Sequence, residues 1–115
     1  INKLVYGIMT IKYKNAKVDL TTTGATAVLT PANATTAVIK SILASEDSGN
    51  ADTITVTITD TADAVFSVFK VKAVAANTTV ELLTQPLVLA ESEVLKATAA
   101  TANRLHIVAS YMEIS

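Results

Sequence analysis

The sequence predicts an all-β chain, a single-domain antiparallel β-sandwich, jelly-roll-like or Ig-like, of about eight short strands. Three observations carry that expectation. Threonine, valine and isoleucine dominate, and their branched side chains suit a pleated surface. Turn signals built from Gly, Pro, Asn and Asp recur roughly every 8–12 residues. No stretch of helical length keeps an apolar stripe at i, i+3, i+4 free of β-branched runs.

The elements follow in order. LVYGIMTIKYK (4–14) reads as a strand and KNAK (14–17) as a turn. KVDLTT (17–22) alternates, with Val18 and Leu20 on one face; TTG (22–24) breaks it and ATAVLT (25–30) resumes. PANATT (31–36) is a loop of proline, asparagine and threonine. AVIKSILA (37–44) is apolar on both faces, with Val38, Lys40 and Ile42 on one and Ile39, Ser41 and Leu43 on the other, as for a strand covered on both sides. After the EDSGNA turn, DTITVTIT (52–59) alternates with period two, the mark of one buried and one wet face. VFSVFKVK (65–72) places Phe66 and Val68 opposite Phe69 and Val71. VELL (80–83), LVLA (87–90), VLKATA (94–99) and RLHIVASYMEI (104–114) complete the set, the last with Leu105, Ile107, Ala109 and Tyr111 on one face.

The 115 residues fit one domain, and 50% hydrophobic content can supply a core. Only 17% of residues are charged, so the surface is largely neutral and threonine-rich, a coat that neighbouring subunits can cover. A net charge of −1 argues against a nucleic-acid binder. The absence of cysteine removes disulfides, thiolate chemistry and Cys-based zinc sites. No apolar run approaches the roughly 20 residues of a membrane-spanning helix. The start at Ile1 is compatible with numbering that begins inside a longer product.

Chemistry is sparse. The lone His106 shares a strand face with Val108 and Ser110, which invites a Ser–His reading, but no GxSxG turn exposes a nucleophile. Glu81 is expected to point to solvent, and Glu91 and Glu93 flank a turn, which leaves a paired-carboxylate site unsupported. Glu46, Asp47, Asn50 and Asp52 offer hard oxygens, but their spacing fails a calcium loop and Ser48-Gly49-Asn50 fits a hairpin. The acidic head is therefore expected to be a solvated loop tip. Lys12, Lys14 and Lys17 read as an edge that resists pairing. Two Asn-x-Thr sequons, at Asn33 and Asn77, read as ordinary loops.

VDLTTTGATAVLTPANATTAVIKSILASEDSGNADTITVTITD, followed by ELLTQPLVLAESEVLKATAATANRLHIVASYMEIS, resembles a family of small virion structural proteins of tailed bacteriophages, frequent in marine and cyanobacterial phages. The resemblance spans roughly residues 18 to 115 and consists of short β segments, not a catalytic signature; PANATT carries alanine where the family often has a glycine-containing turn. It implies a non-enzymatic β domain, without a cofactor, on the virion. The expected role is a capsid decoration or cement protein that binds the major capsid protein and neighbouring copies of itself. A homo-oligomer, with a trimer at local three-fold positions, fits that role; neither nucleic acid nor membrane is an expected partner. The alternative is a neck, tail or fibre-attachment subunit. A carbohydrate-binding module ranks below both, since the chain has no tryptophan and 4% aromatic residues. Residues 1–14 are expected to form an assembly strand or arm ahead of a 15–115 sandwich, with Leu4, Tyr6, Ile8, Ile11, Lys12, Tyr13 and Lys14 as the partner-binding residues.

Overall fold

The computed structural model describes residues 9–115. Among them are nine strands and no helix: β1 (Ile11–Leu20), β2 (Thr26–Leu29), β3 (Thr36–Glu46), β4 (Asp52–Thr59), β5 (Val65–Val74), β6 (Thr79–Glu81), β7 (Leu87–Leu89), β8 (Val94–Ala99) and β9 (Leu105–Ile114). All pair antiparallel in two sheets. One sheet runs β1-β9-β3-β6, with β7 also on β3; the other runs β2-β8-β4-β5. Successive strands cross between the sheets except at the β4–β5 and β6–β7 connections. With β6 and β7 counted as one interrupted strand, this is the order of a jelly roll. The sheets are called here A, containing β1, and B, containing β5.

The two sheets bury one apolar layer between them. Sheet A contributes Leu20, Ile39, Ile42, Leu105, Ile107 and Ala109, and sheet B contributes Ile54, Val56, Leu95, Ala97 and Ala99, each at most 1% exposed. Each fully buried Leu, Ile or Val contributes about 1.5–3 kcal/mol relative to exposure. β4, β8 and β9 bury the faces that their alternation predicts, including Leu105, Ile107, Ala109 and Tyr111 of β9.

Two segments differ from the sequence reading. KNAK is no turn: β1 runs through it, with Lys14 to Lys17 in register against Tyr111 to Val108. A long unbroken ladder with β9 outweighs the local turn preference of these four residues. Ile11–Lys14, read from sequence as the end of an N-terminal strand or arm set apart from the sandwich, are thus the first residues of β1, continuous with Asn15–Leu20. In β3, a register shift between Ile39 and Ser41 makes Lys40 an extra, exposed residue, so Ile39 and Ile42 both face the core while Val38, Ser41 and Leu43 face outward.

β5 also departs from simple alternation. Ile54, Val56 and Thr57 of β4 pair with Lys72, Phe69 and Ser67, so β5 carries extra residues at Lys70–Val71 and at Val68. Phe66 and Phe69 therefore lie opposite Ile58 and Val56, on the same, core-facing side, and not on opposite faces. Val71 has φ of 52°, a left-handed conformation costly for a β-branched residue, and its N–H donates to Thr55 Oγ1 at 3.0 Å.

Candidate functional site

The acidic stretch that offered metal-binding oxygens folds into something else. Glu46, at the end of β3, is 1% exposed. Its carboxylate accepts the Ser48 N–H at 2.8 Å, the Ser48 hydroxyl, the Gly49 N–H at 3.1 Å and, from a loop 31 residues further on, the Asn77 N–H at 3.0 Å. Burial works against ionisation, but the Ser48 hydroxyl and the N–H groups of Asn77, Ser48 and Gly49 outweigh it and hold the pKa down at about 2. The ladder continues outside the strands: Glu46 N–H donates to Thr78 O at 2.9 Å. Glu46 is therefore a buried clasp between two loops, and the expectation of a solvated acidic tip is corrected.

The other acidic oxygens are committed elsewhere. Asp52 accepts Thr101 N–H at 3.0 Å, and the Asn50 amide donates to Ser48 O at 3.4 Å. Asp47 turns toward His106, whose Nδ1 lies 3.7 Å from it and whose Nε2 lies 3.3 Å from Asp19. Among the described residues, no group of His, Asp and Glu is arranged to hold a metal ion. Ser110 lies four residues beyond His106 on the same strand, about 13 Å away, out of reach for proton transfer.

Glu81 is exposed, as expected, but its carboxylate is not free. It accepts the Ser41 hydroxyl, Ile42 N–H at 2.8 Å and Leu83 N–H at 3.2 Å across the β3–β6 junction. Burial opposes its ionisation, and the bonds from Ser41, Ile42, Leu83 and Leu82 prevail, so its pKa is lowered. Glu91 accepts Ala34 N–H at 3.2 Å and Glu93 accepts Ala90 N–H at 2.8 Å. These carboxylates tie loops together, and nothing in their geometry pairs an acid with a base.

What remains is surface. The outer face of sheet A carries an apolar row across four strands, Tyr13, Met112, Val38 and Val88, fixed by the pairings of β1, β9, β3 and β7. Tyr13 is 79% and Val88 58% exposed, and Ile11 and Ile114 form a second apolar pair beside the row. Of the predicted partner-binding residues, Ile11 and Tyr13 thus share this outer face. Lys14 is on the opposite face, 3.1 Å from Glu113, and Lys12 is exposed there. Leu4, Tyr6 and Ile8 lie outside the described residues. Met112, Val38 and Val88, which complete the row, were hidden from sequence reasoning because only the long-range pairing of three further strands aligns them. Val65, Phe66 and Val71 of β5 are also exposed, Phe66 on the core side of its sheet and Val65 on the other.

In comparisons with protein-family models, with curated proteins and with solved structures, nothing matches this chain. The fold defines it as a jelly-roll sandwich with apolar side chains left uncovered on both sheets.

Proposed function

We propose that the chain is a non-enzymatic structural protein of a tailed-bacteriophage virion, a decoration or cement protein held on the outer capsid surface. The observation that carries the reading is the exposed apolar row on the outer face of sheet A, with further exposed apolar side chains on β5, on a chain with only 17% charged residues. Exposed patches of this kind, on a framework whose carboxylates are spent on holding loops, favour burial against other proteins. A subunit on a shell needs one contact with the shell and one with a neighbour, and the sheet A row and the exposed side chains of β5 lie far enough apart to serve separately. The likeness of residues 18 to 115 to small phage virion proteins supplies the setting, and jelly rolls recur in capsids as a fold-level analogy. Many copies on a symmetric lattice let a weak single contact hold by avidity.

Copy number per particle tests the reading. Quantitative mass spectrometry of purified virions should find hundreds of copies. Tens or fewer would move the protein to the neck or tail, and absence from the particle would overturn the proposal.

A further inference from the structure

We infer that the outer face of sheet A is a self-complementary interface, on which two copies of this chain pack face to face about a two-fold axis parallel to the strands and lying between β9 and β3. Such a rotation maps each cross-strand row onto itself with its ends exchanged. The rows of this face are built for that exchange.

In the first row, Tyr13 and Met112 occupy one half and Val38 and Val88 the other. Exchange sets Tyr13 over the second copy's Val88 and Met112 over its Val38, large side chains on small ones, as interdigitating sheet faces require. In another row, Lys17 pairs with Val108, Val108 with Leu43, and Leu43 with Glu81. The same rotation sets Lys17 over the second copy's Glu81 at both ends and Val108 over Leu43 in the middle. One operation thus satisfies an apolar row and a charged row together. Lys17 has no ion-pair partner among the described residues, its ammonium reaching only Asn15 Oδ1 at 3.4 Å. Glu81 is exposed, so its negative charge faces the second copy although its oxygens already accept from Ser41, Ile42 and Leu83.

The size is suitable. Ten residues of β1 extend about 33 Å and four strands span about 19 Å, a plan area of the order of the roughly 800 Å² that each partner contributes to a standard interface. The edges are less inviting. β1 carries Lys12, Lys14 and Lys17 along its length, and β5 is interrupted by two bulges. The pairing does not depend on attachment to a capsid.

The test is sedimentation of the purified chain over a concentration series, joined to cross-linking. The chain has no native cysteine, so introduced thiols report cleanly. The expected result is a monomer–dimer equilibrium that Tyr13→Asp weakens at least tenfold. Lys17→Glu weakens it about threefold to tenfold, and added salt weakens it further. A short bismaleimide should couple a Tyr13→Cys chain to a Val88→Cys chain in a mixture, and should couple neither variant to itself. Lys17→Glu and Val88→Cys alter exposed side chains that hold no internal contact of the core, so a folded circular dichroism spectrum is expected for both. A chain that stays monomeric up to about 1 mM, or a dimer whose cross-links join Tyr13→Cys to Tyr13→Cys, would overturn the inference.

Discussion

Glu46 shows how a single carboxylate can hold a fold together. At 1% exposure it would be costly, were its oxygens not filled by the Ser48, Gly49 and Asn77 donors. Its pKa of about 2 in the folded chain lies below the ordinary 4.5, so its contribution is fully present above pH 4.5 and is lost as the pH falls toward 2. Glu81, also lowered, acts in the same direction. The melting temperature should therefore fall as the pH drops from about 5 to 2. Glu46→Gln should start from a lower melting temperature at neutral pH and show a shallower acid slope. Equal slopes in the two proteins would show that the clasp does not titrate as described. Half of this arrangement was legible in the sequence, since Ser48 and Gly49 follow Glu46 as a tight turn should; the turn is not the hairpin expected, because it joins β3 of one sheet to β4 of the other. The other half was not, because the Asn77 loop reaches Glu46 only once β3 and β6 have paired.

At the scale of elements, the strands with strict alternation were the readable ones. DTITVTIT and VLKATA are β4 and β8 with the boundaries their patterns predict. Bulges were the unreadable part. Nothing local in AVIKSILA marks Lys40 and not Ser41 as the extra residue, since apolar pairs flank the two on both sides; the β9 register decides it. β5 is similar, with Val71 forced to positive φ in a sequence that otherwise favours extended backbone. A left-handed conformation costs an L-residue roughly 1–2 kcal/mol, and glycine escapes that cost while losing more chain entropy on folding. Val71→Gly should thus leave stability unchanged or raise it by up to about 1 kcal/mol, read from denaturant midpoints. An ordinary strand valine would instead lose about 1 kcal/mol on the same change.

For the molecule as a whole, the fold class was visible in composition and period, but the strand order was not. Sheet membership depends on which distant strands meet: β1 on β9, β2 on β8. The apolar row on sheet A was visible only at its margin, as Ile11 and Tyr13, because a row that crosses four strands has no signature along the chain. Hydroxyl-radical footprinting of the purified chain, dilute and then concentrated, tests the central claim most directly, because Tyr13 and Met112 on sheet A and the exposed Phe66 on sheet B are all oxidisable and report on both sheets at once. Association through the outer face of sheet A predicts that Tyr13 and Met112 lose reactivity on concentration while Phe66 keeps it. Tyr13 equally reactive at both concentrations, or protection of Phe66 in its place, would contradict the account.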